Sequence, residues 1–139
     1  MQIKTDSITV ATNGHGHVLD LTGEATHALD NSGLSEGHAL LFVSGSTAAL
    51  TTIEFEPGLI KDIGTALERL VPESIDYAHD ATWGDGNGHS HIRASLLGPS
   101  LMIPFAKGRF LLGTWQQLIL IDMDNRARNR SIVIQFTGV

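Results

Sequence analysis

The chain has no cysteine in its 139 residues. That removes disulfides, thiolate metal ligands and a cysteine nucleophile. It has no apolar run near the ~20 residues a membrane-spanning helix needs, and no signal-like apolar segment at the N-terminus. Positive charge is scarce: 9 Lys and Arg stand against 15 Asp and Glu, a net charge of −6. A general nucleic-acid binder needs the opposite balance. No G-x-S-x-G elbow is present, which disfavours covalent catalysis by serine. The 42% hydrophobic and 17% charged residues match an ordered globular protein. The expectation is one domain over residues 1–139, cytoplasmic, with neither membrane nor nucleic acid as partner.

What is present reads as strands with helices between them. Gln2 to Ala11 and His17 to Leu21 are β-like around an Asn13-Gly14-His15-Gly16 turn. Thr22 is expected to cap a short helix through Asp30, with Gly33 as its stop. Ala39 to Val43 and Thr47 to Phe55 read as two strands, joined as a hairpin about Ser44-Gly45-Ser46. Between Pro57 and Pro72, Leu59/Ile60, Ile63, Ala66/Leu67 and Leu70 recur at helical spacing. His91 to Leu97 reads as a shorter helix. Leu101–Phe105, Phe110–Met123 (open to a break at Gly113) and Ser131–Phe136 then read as strands, with Asp124–Asn129 as a polar turn. The expected class is α+β with a mostly antiparallel sheet.

One stretch does not fit core packing. Tyr77 to Arg93 holds three of the seven histidines (His79, His89, His91), with Asp80, Asp85, Asn87 and three glycines. Imidazole and carboxylate are zinc ligands; magnesium is the harder alternative that favours the carboxylates. In an extended segment the two-residue spacing puts Asp85, Asn87, His89 and His91 on one side, with His79 arriving from the other end. His79, His89 and His91 are thus the candidate metal ligands. The plainer reading is a loop of hydrogen-bonded or surface histidines with Asp-Gly and Asn-Gly turns.

Phosphate partners are sought among hydroxyl and guanidinium groups. Ser46 and Thr47 sit in a small Ser-Gly-Ser-Thr turn, while Arg93, Arg109 and the C-terminal arginines 126, 128 and 130 supply cations. Glu54, in the Thr-rich strand, is open to a role as base, ligand or solvent-facing residue.

Several long segments resemble the YjbQ family: T-A-A-L-T-T-I-E (Thr47 to Glu54), Y-A-H-D-x-x-W-G-D-G-N-G-H-S-H-I-R-A-S-L-L-G-P-S (Tyr77 to Ser100), I-P-F (Ile103 to Phe105) and G-R-F-L-L-G-T-W-Q-Q (Gly108 to Gln117). The resemblance covers nearly the whole chain. It implies a barrel-like folded sheet with two main helices, a homotrimer, and a polar cavity near subunit contacts. It also implies secondary thiamine-phosphate synthase activity, joining a hydroxymethylpyrimidine diphosphate to a thiazole phosphate with release of pyrophosphate. His79, Asp85 and Glu54 are carried over as catalytic candidates, and Asn87, Ser46, Thr47, Arg93 and Arg109 as substrate-binding ones. One departure stands out: many relatives read His-Thr-Thr-Ala-Ala where this chain has Gly45-Ser46-Thr47-Ala48-Ala49.

Three functions follow as expectations. The first is a thiamine-phosphate synthase-type transferase using a divalent metal, zinc or magnesium, on a small phosphorylated metabolite. The second is a non-catalytic trimeric metal- or metabolite-binding protein. The third is a metal-dependent hydrolase of phosphate substrates.

Overall fold

The computed structural model describes residues 1–139. The first half runs β1 (Gln2–Thr12), β2 (His17–Asp20), α1 (Thr22–Ser32), β3 (Glu36–Val43), β4 (Ala48–Ile53) and α2 (Pro57–Leu70). The second runs α3 (Ala78–Trp83), α4 (Gly88–Leu97), β5 (Ser100–Ala106), β6 (Arg109–Phe110), β7 (Gln117–Asp122) and β8 (Arg128–Gly138). The class is α+β, and every strand pairing is antiparallel. The larger sheet has the order β1-β8-β3-β5-β6 and curls as half a barrel; the smaller is β2-β7-β4. No helix is long and apolar enough to cross a membrane.

Strand β7 explains the layering. Its residues Leu118, Ile119, Leu120 and Ile121 are each at most 1% exposed. Alternation sends Leu118 and Leu120 into the main core, with Leu41, Phe105, Ile132, Ile134 and Phe136 of the larger sheet and Leu29 of α1. Ile119 and Ile121 face the other way, onto Leu67 of α2 and Ala94 of α4. The smaller sheet is therefore the middle layer, between the larger sheet and the helices. Each such buried side chain contributes roughly 1.5–3 kcal/mol over an exposed one.

Helix α2 begins as its sequence predicts, with Pro57 at its first position; the Glu56 carboxylate accepts from the N–H groups of Gly58 and Leu59 at 2.7 Å each. Three expectations need correction. Thr22 is not the cap of α1 but lies inside it, and its hydroxyl accepts from the Leu118 N–H at 3.0 Å. The segments β3 and β4 do not form a hairpin: β3 pairs with β5 and β8, β4 with β7, so residues 44–47 cross between sheets. The stretch from Phe110 to Met123 does break around Gly113, as the sequence left open: Phe110 ends β6 and pairing resumes in β7 at Gln117. The polar turn at Asp124–Asn129 ends two residues early, at Ala127, because β8 starts at Arg128.

Candidate functional site

The histidine-rich stretch is mostly helical. Its first part forms α3, which ends at Gly84 in the left-handed conformation, φ 71°. Its second part enters α4 at Gly88, three residues before the expected start. Asp80 of α3 caps that entry, accepting the Gly88 N–H at 2.8 Å. Gly88 is required there, since a Cβ would stand 2.6 Å from the Tyr77 Cβ. From inside α4, Arg93 donates to the Val71 carbonyl at 3.0 and 2.8 Å and to Glu68 at 2.7 Å. That fastens the helix to the end of α2.

Helix geometry overturns the extended register. Two residues of helix rotate by ~200°, so His89 and His91 leave the helix on different sides. His89 turns inward and is 3% exposed. Its Nδ1 has no partner, and its Nε2 lies 3.4 Å from Ser90 Oγ and 3.9 Å from Glu73. Burial, opposed by Glu73, lowers its pKa below the ordinary imidazole value. His91 stays half-buried and meets His79, ring centroids 4.4 Å apart. The expected triad His79–His89–His91 therefore does not assemble, and no three His, Cys, Asp or Glu side chains converge to hold a metal ion.

A different set does converge. His79 Nε2 lies 3.1 Å from Asn87 Oδ1 and 3.6 Å from Asp85 Oδ1. Asn87 is buried, and its Nδ2 reaches Asp124 Oδ1 at 3.4 Å. With its amide turned over, Nδ2 would instead donate to both Asp85 oxygens, at 3.1 and 3.3 Å, and to His79 at 3.1 Å. The two orientations satisfy different partners. In the absence of a cation the turned-over amide makes more hydrogen bonds. With a cation between the acceptors, Oδ1 is a ligand and Nδ2 is left for Asp124. Asn125 closes the set from below, donating to the Asp85 carbonyl at 2.7 Å.

Beneath this cluster lies a buried polar network that local sequence patterns did not reveal. Asp122 and Asp124, both fully buried, sit at and just beyond the end of β7. Arg130 of β8 forks onto Asp122 at 2.7 and 2.9 Å and donates to the Thr47 hydroxyl at 2.7 Å. Thr12 also donates to Asp122. Asp124 accepts from Arg128 Nε at 2.7 Å and from Thr47 at 3.1 Å. Burial alone pushes Asp124 upward, but the Asn125 N–H, Arg128, Thr47 and Asn87 outweigh it and hold its pKa at about 2. Asp122 is likewise lowered against burial, chiefly by Arg130. The Asp122 bond raises Arg130. Both arginines are thus matched by carboxylates that remain ionised.

The other candidates are dispersed. Thr47 is spent inside the network, and Arg93 on the α2–α4 junction. Glu54 is exposed just past β4 and bonds none of the histidines. Arg109 is exposed on β6, the edge strand of the larger sheet, with no ion pair to the site. Ser46 is exposed and lines, with Gly45, Ala48, Ala94, Ser95 and Pro99, a cavity of about 190 Å³. The missed residues are Asp122 and Asp124; Arg128 and Arg130, sought as phosphate partners, are instead paired with these two carboxylates. The one available signal was the alternation of acids and arginines in D-M-D-N-R-A-R-N-R directly after an apolar strand.

The comparisons with known proteins agree with this architecture. Residues 6–139 match the model of the UPF0047 protein YjbQ-like family. A UPF0047 protein of Methanothermobacter thermautotrophicus is 35% identical over 138 residues, covering 99% of this chain and 94% of that protein. A UPF0047 protein of Mycobacterium tuberculosis is 33% identical over 132 residues, 95% and 96% of the two chains. A crystal structure of a YbjQ-like protein of unknown function from Sulfolobus solfataricus superposes with a TM-score of 0.94 at 31% identity, covering 99% of each chain. A hypothetical protein from Aeropyrum pernix gives 0.91 at 33% identity, over 98% of this chain and 99% of that one.

Proposed function

The chain belongs to the YjbQ-like UPF0047 family, and from that premise we propose that it is a transferase of the thiamine-phosphate synthase type. It acts on a small phosphorylated metabolite at the cluster of His79, Asp85, Asn87 and His91. The choice of reaction rests on the family resemblance. The single observation that supports a reactive centre is the meeting of His79 Nε2, Asn87 Oδ1 and Asp85 within 3.1 to 3.6 Å on a half-buried surface.

Those donors suit a divalent cation: imidazole nitrogen, carboxylate and amide oxygen are ligands of zinc or, with fewer nitrogens, magnesium. His79, Asp85 and Asn87 would hold it, replacing the expected His79–His89–His91 set. When bound, a cation supplies neutralisation of the charge that builds on a departing diphosphate. In the orientation in which Asn87 Nδ2 donates to Asp124, the amide oxygen faces His79, where it would serve as a ligand. His91, packed ring to ring with His79, limits how that imidazole turns and is free to pass a proton to a leaving oxygen. Glu54 and Arg109 have no place in this reading.

Pyrophosphate release from a pyrimidine diphosphate and a thiazole phosphate tests it. Release with added zinc or magnesium that falls at least a hundredfold in His79→Ala and His91→Ala supports the proposal. Release equal to that of a His79→Ala/His91→Ala double variant sinks it. The absence of a convergent His and carboxylate triad favours a second reading, a metabolite-binding protein without turnover. Thermal stabilisation by either phosphorylated compound with no pyrophosphate formed selects that one.

A further inference from the structure

The larger sheet ends at β1, whose outer side meets no other strand. Edge strands are normally blunted by proline, bulges or charge, because their free N–H and C=O groups invite another strand. β1 has no proline, and its eleven residues pair with β8 in unbroken register. Residues Gln2 to Ser7 are all exposed. The Ser7 N–H turns to the Asp6 carboxylate at 2.8 Å, which marks the odd-numbered residues as those that bond outward. Even-numbered residues face the core: Lys4, Asp6 and Ile8 stand opposite Phe136, Ile134 and Ile132. On that side a groove of two adjoining cavities runs between β1 and α1, both reaching Asp6 and Ala28. The larger, about 480 Å³, is walled by Asp6, Ile8, Gly23, Glu24 and His27, with no lysine or arginine. The smaller, about 170 Å³, contains Lys4 beside Asn31 and Ser32. Lys4 Nζ donates to the Ser32 carbonyl at 2.5 Å and keeps two further N–H groups.

We propose that this edge pairs with β1 of a second copy of the chain, antiparallel about a two-fold axis at Thr5. That register sets Thr5 opposite Thr5 and Ile3 opposite Ser7, so the outward-bonding residues meet each other. It sets Lys4 opposite the partner's Asp6, and Asp6 opposite the partner's Lys4. Charges on an edge usually repel a second strand; opposite signs two residues apart attract an identical one. The acid-walled cavity receives the partner's lysine, and the cavity holding Lys4 receives the partner's Asp6. The charges also choose the register. Shifting it by two residues either way keeps the bonding pattern but sets Lys4 on Lys4 or Asp6 on Asp6. The contact is isologous and joins the two larger sheets into one. The exposed apolar side chains Met102, Leu111 and Trp115 lie on β5 and after β6, toward the other edge of the sheet. Pairing through β1 therefore leaves them free for any other contact between copies, and it does not depend on the catalytic proposal.

The chain has no cysteine, so Thr5→Cys introduces its one thiol, and a disulfide can form only between copies. The proposed register brings the two Cα atoms at position 5 to roughly 5.5 Å, inside the range a disulfide spans. Thr9→Cys is the control, because the same register holds the two copies of position 9 roughly 27 Å apart. Under mild oxidation, read on denaturing gels, Thr5→Cys should form covalent dimer at least about tenfold faster than Thr9→Cys. On the Thr5→Cys background, Asp6→Lys sets lysine against lysine and should slow the reaction by about tenfold. Adding Lys4→Glu exchanges the two charges and should restore the rate. If Lys4→Glu does not fold, the comparison of positions 5 and 9 decides, together with Asp6→Lys. Equal rates at the two positions, no covalent dimer, no effect of Asp6→Lys, or a folded charge exchange that stays slow overturns the inference. An edge that takes a strand of a different protein instead gives no cross-link at position 5 and counts against it.

Discussion

Replacing Asp124 with asparagine removes one charge from the buried network while nearly preserving its shape. The folded carboxyl titrates at about 2 against 3.8 for the free group. At ~1.4 kcal/mol per pKa unit, the ionised form contributes about 2 kcal/mol to folding at neutral pH. Breaking a fully buried ion pair costs roughly 3–5 kcal/mol, which bounds the effect from above. Two features keep it lower here. Arg128 is 33% exposed and regains water, and Arg130 retains its fork on Asp122. The expected loss is thus about 2–3 kcal/mol at pH 7, in urea unfolding followed by far-ultraviolet circular dichroism. The pH dependence gives the sharper test. Because the folded pKa is depressed, the contribution is fully present above about 3.8 and is lost as pH falls toward 2. The parent therefore approaches the Asp124→Asn variant in stability as the medium is acidified through that window. A gap that stays constant from pH 7 to pH 3, or one under about 0.5 kcal/mol at pH 7, would refute the assignment of Asp124 as an ionised, network-held group.

Leu120→Ala empties a position that is fully buried in the main core; it should cost about 2–5 kcal/mol in the same unfolding assay, and a loss under ~1 kcal/mol would contradict the packing. Arg93→Ala leaves the Val71 carbonyl without its donor and unfastens α4 from α2. It should lower stability by about 1–3 kcal/mol while leaving phosphate affinity unchanged, because Arg93 is structural; a selective loss of phosphate binding would return it to the substrate site.

The parts of the fold that were legible are those with a local cause. The helical spacing from Pro57 to Leu70 predicted α2 with its ends, and the apolar run before Asp122 marked a strand. The histidine segment was legible as a site but not as structure. In Gly-Asn-Gly-His-Ser-His, Asn87 stands at the N-cap but makes no side-chain cap bond; the acceptor for the Gly88 N–H comes from Asp80, eight residues back. Reading it as extended gave the two-residue register that the helix then broke, removing His89 from the cluster. The hairpin between β3 and β4 failed because a turn signal does not say which sheet each arm joins. The network failed for distance: Thr12 meets Asp122 across 110 residues and Thr47 meets Asp124 across 77, and no window of sequence holds both partners.

The double-sided burial of β7 divides the molecule by rate of opening. Its outward residues Ile119 and Ile121, with Val18 and Met123, meet Leu67 of α2 and Ala94 of α4 in the smaller core, whereas Leu118 and Leu120 belong to the larger one. Helices α3 and α4 can therefore lift and exchange their amide hydrogens by local excursions, while β7 amides exchange only when the whole chain unfolds. His79 and His91 ride on the quick side of that division, Asp122 on the slow side, and the Asn87–Asp124 contact bridges them. A ligand that tightens that contact would slow exchange in α3 and α4 alone, and so would announce its binding without any chemistry taking place.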